Sequence, residues 1–326
     1  MLPFILRRFV NSVPTILGST ILIFFIIQLA PGDFLTSQLL NPNIEKEQIE
    51  NLKRNFGLDR PLIVQYFYWL MNILRGDLGL SFAYQQPVLD VVMPRVINSL
   101  YLVLLYTFFF YLFAIPLGVY GAVRQYSLGD KITSTLMYFL LGFPSFFLAL
   151  LVIYGILQLR HATGWDIPIG GMTSGNYNEL STLGKFLDVL KHIAIPAIVL
   201  AISDIAGFSR IMRGQMLENL NADYIRTARA KGLSESKVVY KHTFRNAIIP
   251  FIAGIGALLP SLLSGAGFAE VVFNYPGITP MILDSLQQQD LYVVAGFAFV
   301  TTVLLIIGNA LSDILLSMVD PRIRYA

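Results

Sequence analysis

The sequence predicts an all-α membrane protein with six transmembrane helices, on three observations. The chain is 55% hydrophobic and 13% charged, with a mean hydropathy of +0.65, whereas a soluble domain carries about 25% charged residues. Five runs, 9–29, 96–123, 132–159, 246–269 and 291–312, contain no Asp, Glu, Lys or Arg and reach the roughly 20 residues a span needs. A sixth, 192–209, qualifies with one carboxylate, Asp204, inside it. Finally, the basic residues alternate between rich and poor connecting segments. There is no Cys, which excludes disulfides, thiolate metal sites and Cys nucleophiles.

Residues 1–30 form the first segment. Their apolar run is longer than the 7–15 residues of a signal-peptide core, and no small-residue cleavage site follows, so they read as a retained signal-anchor span. Residues 31–95 form an external loop. Its polar part, NPNIEKEQIENLKRNFGLDRP, is followed by PLIVQYFYWLMNIL. At about 14 residues and rich in Tyr and Trp, that stretch is too short to cross and reads as an interfacial helix. The core, 96–319, holds the other five spans, an external loop at 160–190 rich in Gly, Thr, Ser and Asn, and a basic internal loop at 211–247. Residues 320–326 are a short tail.

Orientation follows from Lys and Arg. With the N-terminus inside, the inner segments carry 14 of the 23 basic residues, and the outer nine fall mostly in the long loop 31–95. The expectation is a multi-pass membrane protein with both termini on the cytoplasmic side. The spans are punctuated by Pro116, Gly118, Gly142, Pro144, Pro196, Pro260, Gly265 and Gly267. Breaks of this kind are tolerated where neighbouring helices or a wet cavity satisfy the freed backbone. Ala253, Ala257, Ser261 and Gly265 lie four apart, a stripe for close helix packing either within the chain or against a second subunit.

Several chemistries are missing. No G-x-x-x-x-G-K-[ST] loop, H-E-x-x-H motif or G-x-S-x-G elbow occurs, and His161, His192 and His242 are scattered. No catalytic or metal site is expected, nor nucleic-acid binding. Asp204 has two readings: a local pair or wet-cavity residue, or a member of a translocation pathway.

The stretch 223–250, DYIRTARAKGLSESKVVYKHTFRNAIIP, is the most informative. Arg226, Arg229, Lys231, Lys237, Lys241 and Arg245 outnumber Asp223 and Glu235. Asn221 and Asp223 are candidate N-caps of a helix whose Tyr224, Thr227, Ala228 and Lys231 share a face. Gly232 ends it, and Ser234 caps the next helix with Glu235 in its first turn. Small residues at the joint suit docking into a partner's groove; a solvated, lipid-facing positive loop is the plainer alternative.

This stretch resembles the cytoplasmic EAA loop of ABC importer permeases, in the form of the dipeptide/oligopeptide/nickel family. Ala228 and Gly232 match the spacing E-A-A-x-x-x-G, and the continuation His242 to Pro250 is the peptide-permease form. Pro31-Gly32-Asp33, Gly57-Leu58-Asp59-Arg60-Pro61, Gly76-Asp77-Leu78-Gly79 with Ser81, Phe273-Asn274 with Pro276-Gly277-Ile278, and Asp320-Pro321-Arg322 resemble markers of the family's B-type subunit; Phe34 departs from a frequent Pro. The resemblance implies the type I importer permease fold with an EAA coupling hairpin. It implies a homologous second permease, two cytoplasmic ATPases carrying ATP and Mg, and an external binding protein, with no cofactor on this chain. It implies ATPase coupling through Thr227, Ala228, Lys231, Gly232 and Leu233. Nickel chelates or sugars are alternative cargoes, and a stand-alone secondary transporter is the alternative of another class.

Overall fold

The computed structural model describes residues 2–29, 60–254 and 266–319. The markers at 31–34 and 57–59, the stripe positions 257, 261 and 265, Pro260 and the Asp320-Pro321-Arg322 marker lie outside the described residues.

The described chain is built of helices and one two-residue ladder. Helices are α1 (Leu2–Leu29), α2 (Leu62–Leu74), α3 (Val88–Val123), α4 (Leu128–Leu141), α5 (Ser145–Thr163), α6 (Thr182–Leu220) and α7 (Asp223–Ala230). After α7 come a turn at Glu235–Lys237, a π-helical stretch at Val238–Thr243, and short helices Phe244–Ala247 and Ile249–Gly254. Then follow α8 (Gly267–Val272), α9 (Ile278–Gln287) and α10 (Leu291–Val319). Among the described residues, four helices are long and apolar enough to cross a membrane: Val88–Val123, Ser145–Thr163, Thr182–Leu220 and Leu291–Ile314.

The run 132–159 departs from its expectation. Residues 132–159 are two helices rather than one. Gly142 caps α4, and Pro144 precedes α5 in an extended conformation, φ −59° and ψ 137°. Proline has no N–H to continue α4 and disfavours helix in the residue before it. The residues that punctuate the run are those that break it.

The contacts divide the chain into two compact units. The first comprises Met1–Asn98 and Gly277–Ala310. Its core is Ile73, Leu78, Val88, Val91, Val92, Val96, Ile278, Met281 and Val293. Helix α2 has 13 residues, about 20 Å at 1.5 Å per residue, short of the roughly 30 Å hydrocarbon thickness. Its Tyr66 and Trp69 rings pack on Phe24 of α1 at 5.5 and 5.8 Å. Ile63, Phe67, Met71 and Leu74 on α2 stay exposed.

In this unit Gly76 and Gly79 take φ +84° and +93°, open to glycine at little cost. The Asp77 carboxylate accepts the Gly79 N–H at 2.8 Å. This turn delivers Ser81 to Asp290, which is fully buried. Asp290 accepts from Ser81 Oγ at 2.6 Å and Ala83 N at 3.0 Å, and caps α10 by accepting from Val293 N at 3.3 Å. The marker Gly76 to Ser81 is thus a turn that supplies a buried N-cap with its partners.

The second unit comprises Ser99–Pro276 and Leu311–Ala326. Its helices α3 and α6 pack with little clearance: a Cβ on Gly118 would lie 2.5 Å from Met212 Cβ and 2.6 Å from the Ser209 carbonyl oxygen. Glycine lets the backbones meet there. Around this contact lie Val119, Ala122, Met212, Met216, Val239, Ala247 and Phe251. Helix α8 ends with Asn274 at φ +46°. The N–H groups of Asn274 and Tyr275 close onto the carbonyls of Val271 and Glu270 at 3.1 and 2.7 Å. That is the left-handed Schellman ending in which Asn substitutes for Gly. The Phe273 carbonyl in turn accepts the Gly171 N–H at 3.1 Å, tying down the loop before α6.

Candidate functional site

The basic segment after α6 folds as a hairpin. Helix α7 starts with Ala222 in the N-cap position, without a side-chain cap. The expectation that Asn221 and Asp223 cap it is corrected. Asn221 instead ends α6, its amide donating to the Leu217 carbonyl at 3.0 Å. Asp223 is the first helical residue, where its charge favours the positive end of the helix dipole.

Gly232 ends α7 as expected, at φ +74°. The Gly232 N–H donates to the Arg229 carbonyl at 2.9 Å and the Leu233 N–H to the Ala228 carbonyl at 3.4 Å. This is a Schellman ending, and the hydrophobic contact that accompanies it is present: Leu233 packs on buried Ile225, Ala228 and Val238. Ser234 stands at the next N-cap but its hydroxyl makes no cap. Glu235 binds Arg229 across the turn instead, at 2.6 and 3.2 Å. That hydrogen bond holds the Glu235 carboxyl below its ordinary range and raises Arg229 above its own.

The anticipated docking face is divided. Tyr224, Thr227, Lys231 and Gly232 are exposed, and Leu233 is half-buried. Ala228 faces inward, with 8% of its surface exposed, so it shapes the hairpin from within. Arg226 pairs with Asp223 at 3.3 Å. Lys231, Lys237, Lys241 and Arg245 make no ion pair among the described residues and leave the hairpin strongly cationic.

The return limb is not the regular helix that the sequence suggests. It passes through a π-helical stretch, with Thr243 Oγ1 donating to the Val238 carbonyl five residues back at 3.0 Å. π-Turns of this kind are rare and concentrate at functional sites. The extra residue turns Val238 toward the hairpin's own apolar centre while Val239 reaches the core formed with Met212 and Met216 of α6. The hairpin is thereby packed onto the end of a long transmembrane helix.

A second network lies along α6. Arg213 donates Nη2–H to Asp130 Oδ2 at 2.8 Å and Nε–H to the Gly121 carbonyl at 3.1 Å. Asp130 also accepts from Tyr126 N at 2.8 Å and Ser134 Oγ at 3.2 Å. This joins α3, α4 and α6, and sequence reasoning missed it. Part of it was legible: Ser127, three residues before Asp130, is an N-cap with an acid at the third helical position. Nothing in the spacing pairs Asp130 with Arg213.

Asp204 has one hydrogen-bond partner among the described residues, and it comes from another helix. The Tyr106 hydroxyl of α3 donates to Asp204 Oδ2 at 2.5 Å. The residue is nonetheless exposed on the protomer surface. Among the described residues, no cluster of His, Asp and Glu suits a metal ion.

Comparison with known proteins covers the chain from end to end. Residues 114–325 match the model of the binding-protein-dependent transport system inner membrane component, and residues 1–103 match the N-terminal model of such membrane components. The oligopeptide transport system permease protein AppB of Bacillus subtilis is 39% identical over 326 residues, covering 100% of both chains. The dipeptide transport system permease protein DppB of Escherichia coli K12 is 34% identical, over 100% of this chain and 99% of that protein. The glutathione transport system permease protein GsiC of Escherichia coli O6:H1 is 30% identical over the full length of both. The chain therefore belongs to the family of binding-protein-dependent transport system inner membrane components, and it is a multi-pass permease subunit of such a transporter rather than an enzyme.

Proposed function

We propose that this chain is one permease of an ATP-driven importer for di- or oligopeptides, and that its basic hairpin is the coupling element. The observation that carries the coupling role is the hairpin itself. A Gly232 joint exposes Thr227, Lys231 and Gly232 beside cations that have no ion pair among the described residues, while the limb behind it packs onto α6. Such a surface fits a cleft on an ATPase and has a rigid path to a transmembrane helix. The peptide cargo rests on the full-length similarity to permeases named for oligopeptides and dipeptides.

In this reading the chain forms a pore with a homologous second permease. Two cytoplasmic ATPases bind ATP and Mg, and this chain binds neither. An external binding protein delivers the peptide. The fold is the type I importer arrangement of six spans. Residues 1–30 are the first span, 31–95 an external loop whose short helix lies in the membrane interface, 96–319 the pore-forming core and 320–326 a cytoplasmic tail. Both termini and the hairpin face the cytoplasm of a prokaryotic cell. Thr227, Lys231, Gly232 and Leu233 contact the ATPase, and Ala228 supports them from inside. ATP-driven closure of the ATPases pulls the hairpin, and α6 with it.

The test is purification of the chain in mild detergent from its native membrane, with identification of what accompanies it. A second permease and P-loop ATPases in stoichiometric amounts are expected. A chain that purifies alone and transports without ATP would overturn the proposal. Gly232→Trp is expected to abolish peptide uptake while ATP hydrolysis and membrane insertion persist; normal uptake would remove the hairpin from the coupling role.

A further inference from the structure

Asp204 is the single carboxylate in an apolar run, and the charges around it do not balance. On α6 the flanking residues Leu200 to Phe208 include no cation. The group that reaches it from α3 is a phenol, neutral, and bonded to one oxygen only. Asp204 Oδ1 has no donor among the described residues. Ala201, Ile205 and Ala206 on the same helix are buried, whereas Asp204 is exposed, so the carboxylate points away from the packed side of α6. A charged side chain at such a position faces a wet cavity or another protein surface, and is retained for what it binds.

The surroundings suit one kind of ligand. The Tyr106 ring stacks on Phe110 at 5.9 Å, and Phe110 meets the edge of Phe208 at 4.7 Å. Phe208 is exposed one turn along α6 from Asp204. A carboxylate flanked by aromatic faces binds an ammonium group by ion pairing and by cation–π attraction.

We propose that Asp204, oriented by Tyr106 and walled by Phe208, receives the α-ammonium group of the peptide as it passes through the membrane. The proposal rests on the peptide-importer reading above, since the α-ammonium is the cation common to unblocked peptides whatever their side chains. It makes the chain a selective surface rather than an inert wall. Tyr106 is a positioning residue that holds one carboxylate oxygen and leaves the other for the ligand.

The experiment measures equilibrium binding of Ala-Phe and of N-acetyl-Ala-Phe to the assembled transporter in nanodiscs, without binding protein, by saturation-transfer difference NMR. The intact transporter is expected to prefer the free amine by about tenfold. Asp204→Asn, which preserves shape, is expected to abolish that preference, and Tyr106→Phe to reduce it. Lack of preference in the wild type, an unchanged preference in Asp204→Asn, or equal weakening of both peptides would each overturn the proposal; the last would make Asp204 structural. ATP-dependent uptake of Ala-Phe by the wild type, with binding protein, is measured alongside. Absent uptake defeats the importer reading itself, and normal uptake without amine preference defeats this inference alone.

Discussion

Asp130 and Asp204 are two carboxylates in the same packing of α3, α4 and α6, and the fold treats them oppositely. Asp130 has 5% of its side chain exposed, faces a guanidinium, and accepts from a backbone N–H and a hydroxyl as well. Asp204 accepts from one phenol and is left open to its surroundings. Burial of a charge is tolerated only when its bonding capacity is filled. The filled site is therefore frame. The open one keeps capacity for something outside the protomer. The difference lies in satisfaction rather than residue type.

The comparison can be broken first at its structural arm. Arg213→Ala strands Asp130 in a nearly dry site and is expected to cost about 3 kcal/mol. The loss reads out as a lower Tm of the detergent-solubilised complex. The double variant Asp130→Asn with Arg213→Met is expected to recover most of it. If Arg213→Ala leaves Tm unchanged, the pair is not the frame described. Gly118→Leu tests whether packing alone holds that frame, since it touches no charge. Its side chain has no room against Met212 and the Ser209 backbone, and overpacking of about 2 kcal/mol is expected.

The hairpin gives a smaller effect. Gly232→Ala imposes a Cβ at φ +74°, an expected cost of about 1 kcal/mol. Space is open around that position, so the strain is conformational only. Hydrogen exchange of the 228–233 amides should quicken while the transmembrane cores stay protected. Asp204→Asn sharpens the contrast: it keeps an acceptor for Tyr106 and is expected to cost about 0.5 kcal/mol, with little change in Tm. A fall in Tm like that of Arg213→Ala would abolish the distinction between the two acids.

The smallest effect is on pH. Arg229 holds the Glu235 carboxyl below its ordinary range, so the pair's contribution is complete above the usual Glu value of about 4.3. It is lost as pH falls through the lowered value. Proteolysis at Lys231 should therefore quicken only in acid. Because both side chains are exposed, the difference should fade in high salt.

Much of this molecule was determined by sequence alone. Apolar runs specified the long helices, because a backbone in lipid must satisfy its own hydrogen bonds and helix does so locally. Gly142 and Pro144 carried the break between α4 and α5, and Gly232 the joint of the hairpin, through preferences that act within one turn. The markers Gly76 to Ser81 and Phe273 to Gly277 could be seen but not explained. Their sense is tertiary: one brings Ser81 to Asp290, and the other sets Asn274 left-handed and holds Gly171.

Tertiary structure alone decided the pairs. Asp130 and Arg213 lie 83 residues apart, Tyr106 and Asp204 98, and Ser81 and Asp290 209. Local propensity has no reach over such separations, and which acid meets which donor depends on how helices pack. The inward turn of Ala228 and the π-helical stretch behind the hairpin have the same origin. Ala228 turns inward onto Ile225 and Val238, and the π-helical stretch places Val238 and Val239 in two different apolar clusters.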